Sequence, residues 1–420
     1  MARPPLERGD DPDPFAVGFV LRLARALHAY GYSAARLEDI LSATADRLGL
    51  AGHRFFSMPT QIMAAFGPED RQRTHLLRVE PGEVNLGKVA ALEQVSLDVV
   101  QGRASPEEGM RQIEHIVAAP SPYGLAVVTL AHGILSGAVC QFLGGGWREI
   151  IVATVLGLGL GLLAIYAANH ARVSRVFESL AAFLISAAAI GLARLTGPIS
   201  VFVATLAGLI VLMPGLLLTT AITELATRHL ASGTLRLGSA FMTLLGIVFG
   251  VALGTRLGVM LFGAPASALP GALPGWVPYV AIVLASASSV VILRADPRDA
   301  PWIVAAGVLG VLSGRLGAAK LGLELGMFVA AFSVAMASAA YERWRNRPAP
   351  VVLVPGILLL VPGSIGYLSV SSFRDRNTVA GIDTAFTMVL TAVSLVAGLL
   401  IASILAPEPK RAATARQLGP

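Results

Sequence analysis

Residues 199–220 read ISVFVATLAGLIVLMPGLLLTT, twenty-two positions without a charge, broken near the middle by Pro214-Gly215. A stretch of about 20 apolar residues is the length of helix that crosses a ~30 Å hydrocarbon core. Proline removes an amide and clashes with the preceding turn, so this stretch predicts a membrane helix with an interruption inside it. Outward from it, nine more stretches of the same kind lie at about 125–143, 150–168, 177–195, 238–261, 277–293, 302–318, 325–341, 351–368 and 383–405. Composition agrees: 55% of the 420 residues are hydrophobic and 14% charged, with a mean hydropathy of +0.70. Soluble domains carry about 25% charged residues, so a soluble enzyme is disfavoured.

The net charge of +6 is unevenly placed. Residues 1–120 hold 13 Lys/Arg and 16 Asp/Glu, and residues 121–420 hold 19 and 10. Basic charge therefore accompanies the apolar region and reports topology, which excludes nucleic acid as a partner. With the N-terminal part in the cytoplasm, the inside connections and tail carry twelve Lys/Arg and the outside loops five. That satisfies the positive-inside rule with both termini cytoplasmic. Residues 1–15 are rich in Pro and Asp and do not read as a signal peptide. The single Cys140 sits among apolar neighbours and reads as an inert thiol, so no disulfide or thiolate metal site is expected.

Before the apolar stretches, the sequence predicts an α+β domain of order αα-βββ-αα. Asp13-Pro14 and Ser33 open two helices, 53–57, 61–66 and 75–79 read as strands, and 85–101 is a third helix. Ser105-Pro106-Glu107-Glu108 is a capping box for a fourth. The expected organisation is a disordered segment 1–14, a cytoplasmic α+β domain 15–119, a first membrane repeat 120–265, a second 266–405 and a cytoplasmic tail 406–420.

The repeat is read from matches between the halves. Val211-Leu212-Met213-Pro214-Gly215 pairs with Val352-Leu353-Val354-Pro355-Gly356, Ala240-Phe241 with Ala385-Phe386, and Tyr123 with Tyr279. Five helices per repeat is an odd number, so the second repeat enters the membrane inverted, as in many secondary transporters. Broken helices at corresponding positions then mark the binding site, and Pro362-Gly363 adds a second break to helix 9.

The motifs resemble the threonine/serine exporter family. They are Tyr30-Gly31 with Leu37-Glu38, Pro59-Thr60, the run Pro81-Gly82-Glu83-Val84-Asn85-Leu86-Gly87-Lys88-Val89, Met213-Pro214-Gly215, and Glu224, Ser232-Gly233 and Arg236 beyond it. The resemblance covers about 15–405, and Glu80 stands where the family's run usually has a first proline. It implies a ten-helix carrier of the bacterial plasma membrane, exporting small amino acids at the expense of the proton gradient and needing no cofactor. Two-chain relatives are linked to dicarboxylate export, so a succinate-like substrate is the alternative, and a homo-oligomer is compatible with the sequence.

Ionisable groups inside spans are expensive and are functional candidates. His132 lies mid-span in helix 1 and titrates nearest physiological pH, which suits a proton carrier; the alternative is a neutral ring bonded to a helix carbonyl. Glu178 and Glu324 stand one turn into helices 3 and 8, as a symmetric pair or as residues reaching the interface. Asp383 reads as a cap for helix 10. Thr219, Thr220 and Thr223 follow the helix 4 break and Ser364 the second helix 9 break, where hydroxyls serve substrate or freed carbonyls. Pro214-Gly215 and Pro355-Gly356 would offer half-helix N-termini to a carboxylate. Glu83 and Lys88, with Pro81, Gly82 and Asn85, read as structural or interdomain contacts, and Arg78, His53 and His75 form no catalytic or metal spacing. A membrane-anchored ligand sensor is a competing class, disfavoured by the repeat; the glycines of Gly157-Leu158-Gly159-Leu160-Gly161 and at 246, 250, 254, 258 and 307, 310, 314, 317 read as packing seams.

Overall fold

The computed structural model describes residues 13–80, 82–266 and 268–406; the expected segment 1–14, apart from Asp13 and Pro14, and the tail beyond Ala406 lie outside them. Pro14 is already the first residue of helix α1 (Pro14–Ala29), where Asp13 Oδ1 accepts from the Phe15 amide at 3.0 Å. Helix α2 (Ala34–Arg47) ends at Gly49, whose φ of +69° favours glycine. An antiparallel sheet of order β1-β2-β3 follows: β1 (Arg54–Met58), β2 (Gln61–Phe66) and β3 (Arg73–Arg78), with Ile62 opposite Ser57 and Leu77. Helices α3 (Leu86–Val100) and α4 (Pro106–Ala118) complete this N-terminal part. Phe19, Leu23 and Leu27 of α1 meet Leu37, Leu41, Ile62, Phe66, Leu92 and Val95 in one buried cluster. The alternate residues of β2 supply one face to it, as a period of two requires.

The apolar region begins with α5 (Leu125–Phe142), α6 (Trp147–Ala168), a short α7 (Ala171–Ser174) and α8 (Phe177–Thr196). The 199–220 stretch is two helices, α9 (Val201–Gly208) and α10 (Gly215–Ala226), with a 3-10 turn at Ile210–Leu212 before α10, and Val201–Gly208 is bent by 54° from Ile210–Ala226. Met213, preceding the proline, is extended, which is what proline imposes on its predecessor. Then come α11 (Leu230–Phe262), α12 (Val277–Ile292), α13 (Ala300–Leu321), α14 (Leu323–Arg345), α15 (Pro350–Leu358), α16 (Gly363–Arg374) and α17 (Thr378–Leu405). Among the described residues eight helices, counting 350–373 as one, are long and apolar enough to cross a membrane, or nine with the bent α9–α10 pair. The tenth expected stretch is α12, apolar but only 16 residues long. This is a polytopic helical membrane protein.

Two expectations are corrected. Pro355 lies inside α15, and the chain breaks one turn later, with Pro362 as the N-cap of α16. Proline's fixed φ suits a helix, and at Pro355, the sixth of the nine residues of α15, it removes one intrahelical amide bond without ending the helix. Pro355-Gly356 therefore offers no half-helix N-terminus; Pro362-Gly363 takes that place. Asp383 lies within α17, which Asn377 caps through the Ala380 amide.

Close glycine contacts recur between the halves. Gly157 of α6 meets Ser136 of α5, and Gly307 of α13 meets Ser286 of α12, each partner 150 positions on. Gly250 of α11 packs on Ser179, Ala182 and Phe183, and Gly398 of α17 on Phe328, Ala331 and Phe332. Gly208 meets Leu156 and Ile185, and Gly356 meets Ala306 and Val334, so the counterpart of Gly356 is Gly208 and that of Gly215 is Gly363. The same offset of 149 that relates Ser179 to Phe328 takes Glu178 to Met327, so Glu178 and Glu324 are not counterparts. Helix neighbours recur as well: α8 packs on α11 as α14 does on α17, and α10 on α11 as α16 does on α17.

Candidate functional site

The two broken helices meet at their breaks. A Cβ on Gly215 would collide with Val361, and one on Gly363 would lie 3.0 Å from the Gly215 amide nitrogen and 3.1 Å from its Cα. Only glycine permits this approach of backbone to backbone. A cavity lies to each side of the crossing. One, of about 190 Å³, is lined by Leu216, Thr219, Thr220 and Thr223 of α10, Leu353 and Ile357 of α15 and Leu399 of α17, and is roofed by residues 30–33 and Arg36 of the N-terminal part. The other, of about 560 Å³, is lined by Phe202 and Thr205 of α9, Val251, Thr255 and Arg256 of α11, Tyr367 of α16 and Asp375. Thr219 and Tyr367, Thr205 and Leu353, and Val251 and Leu399 are each 148 positions apart, one member in each cavity.

Polar groups in the smaller cavity are unevenly satisfied. The Thr223 hydroxyl donates to the Thr219 carbonyl at 2.8 Å, as threonine commonly does one turn back. The Thr219 hydroxyl, the Tyr32 hydroxyl and Arg36 Nε are buried without a hydrogen-bond partner among the described residues. The Arg36 guanidinium reaches Glu93 at 3.5 Å and Glu342 of α14 at 3.8 Å. Burial lowers its pKa from the ordinary arginine value, and the charges of Glu342 and Asp39 oppose that shift.

Glu224 binds protein rather than open cavity. It is fully buried, accepts from the Ala34 amide at 2.9 Å, and pairs with Arg236 Nε at 3.0 Å. One carboxylate of α10 thus caps the N-terminus of α2 and neutralises a cation of α11. Beside it, His229 faces Glu38 at 3.5 Å, and burial raises the Glu38 pKa above the usual carboxylate value.

The run that begins at Pro81 fastens the N-terminal part to the second half; Pro81 itself lies outside the described residues. Gly82 donates its amide to the Ala29 carbonyl at 3.0 Å, and Glu83 pairs with Arg294. Asn85 caps α3 through the Lys88 amide, while the Leu86 and Gly87 amides donate to the Leu293 and Arg294 carbonyls at 3.0 and 3.1 Å. The free amides at the start of α3 thereby meet the free carbonyls at the end of α12. Lys88 Nζ donates to the Val117 carbonyl at 2.8 Å and stands 5.3 Å from the Tyr30 ring centre.

The remaining candidates stand apart from both cavities. His132 is buried at the α5–α6 contact, with Nδ1 2.8 Å from the Val128 carbonyl of its own helix. Glu178, Glu324 and Ser364 are half-buried and do not line either cavity. His53 is held by the Leu50 carbonyl at 2.9 Å, and no group of three metal-binding side chains occurs among the described residues. Sequence reasoning missed Tyr32, Arg36, Arg256, Tyr367 and Asp375. The one available signal was Arg256, a charge inside an apolar stretch.

Comparison with known proteins bears on the whole chain. The threonine/serine exporter family model matches residues 18–258, and a second threonine/serine exporter model, ThrE, matches 278–405. "Pheromone-regulated membrane protein 10" of Eremothecium gossypii is 26% identical over 372 residues, covering 86% of this chain and 50% of that protein. Its Kluyveromyces lactis namesake is 30% identical over 237 residues, 55% of this chain and 25% of that one. An uncharacterized Schizosaccharomyces pombe protein is 23% identical over 389 residues, 88% and 45%. The chain spans half or less of the length of these curated relatives, and no solved structure matches it. Both halves, with the motifs that join them and the breaks at which they cross, fall within the two matches, and the chain belongs to the threonine/serine exporter family.

Proposed function

We propose that the protein is a secondary transporter that exports threonine, serine or similar small amino acids by alternating access, coupled to the proton gradient. The observation that carries the reading is the crossing of α9–α10 and α15–α16 at Gly215 and Gly363 with one cavity on each side. Ten helices in two inverted five-helix repeats would let the halves exchange shapes, so that the smaller and larger cavities open in turn. The paired glycine contacts support that arrangement. An α+β domain at 15–119 would close the smaller cavity from the cytoplasm, with both termini on that side, as the excess of basic residues in the inside loops supports. The bacterial plasma membrane rests on the motif resemblance, since the relatives described above are yeast proteins. His132 is the proposed proton-coupling residue, being the mid-span histidine.

The test uses the full chain in liposomes with labelled threonine, serine or succinate and an imposed pH gradient. Gradient-dependent flux of the amino acids is expected, and no such flux of any of them would overturn the reading. Flux of succinate alone would favour dicarboxylate export. Unchanged coupling in His132→Gln would remove the proton role from that residue.

A further inference from the structure

Three of the buried polar atoms without a hydrogen-bond partner among the described residues belong to residues lining the smaller cavity: Arg36 Nε, the Tyr32 hydroxyl and the Thr219 hydroxyl. Burying a donor without an acceptor costs about 1–3 kcal/mol, so three such groups around one cavity point to a ligand that supplies acceptors. Arg36 Nε can only donate, and it belongs to a cation. Its guanidinium is anchored by Glu93 of α3 and Glu342 of α14, one on each side of the junction between the N-terminal part and the membrane helices.

We infer that Arg36 and Tyr32 are substrate-binding residues, and that the N-terminal part completes the site by receiving the substrate's carboxylate. This rests on the export reading and deepens it. A planar guanidinium with a free Nε edge suits a carboxylate oxygen, and charge-assisted bonds of this kind are about twice as strong as neutral ones. The two hydroxyls donate or accept, so they accommodate a substrate's own hydroxyl or its second carboxylate oxygen. Leu216, Leu353 and Ile357 wall the rest, which suits a short side chain. Among the described residues the lining holds one cation, Arg36. Arg36 already faces Glu93 and Glu342, so each further carboxylate meets their negative field as well, and a dicarboxylate is disfavoured relative to a monocarboxylate. The site therefore favours one carboxylate over two, and α10 alone does not make it.

The experiment measures threonine uptake by the full chain in liposomes, with 1-amino-2-propanol, which is threonine without its carboxylate, and succinate as competitors. Wild-type protein should be inhibited by serine and hardly by the other two. Arg36→Gln should raise the threonine KM by about tenfold or more with a smaller change in maximal rate, and should erase the preference for threonine over the decarboxylated analogue. A merely structural loss would lower transport while keeping that preference, and would overturn the assignment. Arg36→Gln also removes two ion pairs, so Tyr32→Phe is the second variant. It deletes a hydroxyl without a hydrogen-bond partner among the described residues, and should raise KM several-fold without moving the thermal midpoint. Wild-type KM in both variants overturns the assignment alone. Wild-type protein that carries no amino acid overturns the export reading, and this assignment with it.

Discussion

At the scale of single residues, Glu224 is a central contact between the N-terminal part and the first half. It is fully buried, and its two partners come from two different regions of the chain. Removing one side of a buried pair costs about 3–5 kcal/mol because the other charge stays buried. Glu224→Gln should therefore loosen α2 from α10, read as faster hydrogen exchange at the amides of residues 34–37; unchanged exchange there would refute the clamp. His28 gives a second expectation. Burial holds its imidazole below the ordinary value near 6.5, opposed by its contact with the Pro59 carbonyl, while Arg236 disfavours and Glu224 favours the proton. Between the lowered and ordinary values the unfolded chain binds more protons, so stability is present above the ordinary value and is lost as pH falls through it. The thermal midpoint should drop between about pH 7.5 and 5.5, and His28→Gln should flatten that slope.

At the scale of elements, hydropathy made the apolar stretches legible, because lipid leaves helix as the simplest structure for each. The caps at Asp13 and Ser105 were legible for an equally local reason: a side-chain oxygen reaches an amide two or three residues on. Which Pro-Gly breaks the ninth stretch was not legible. Pro355 and Pro362 look alike in sequence, and the choice is made by packing: Gly356 presses on Val334 and Ala306 within a continuing helix, whereas Gly363 meets Gly215. Pro355→Ala should accordingly leave transport near wild type, while Pro362→Ala should reduce it severely in the liposome assay. Equal effects would contradict the placement of the break. Arg36 and Tyr32 were hidden for another reason. They belong to an amphipathic helix and its preceding turn, and only docking brings them to a cavity among membrane helices.

At the scale of the whole molecule, the paired cavities make a reciprocal prediction. Thr205 and Leu353, 148 positions apart, line one cavity each and would be counterparts in the proposed repeat. Cysteines placed singly at these positions, with buried Cys140 replaced by serine, should respond to threonine in opposite senses. One should become more reactive to a water-soluble thiol reagent as the other becomes less so. Parallel responses would argue for a fixed pore.

The N-terminal part is tied at two ends. Glu224 and Arg236 hold it to the first half, and the Leu293 and Arg294 carbonyls with Glu342 hold it to the second. Any motion that parts α10 from α15 must deform this strap or release one end. On the export reading, ties made in one conformer and lost in the other would set which way an empty carrier faces at rest. Weakening them singly would turn that resting poise into a dial, adjustable without touching the crossing of the broken helices.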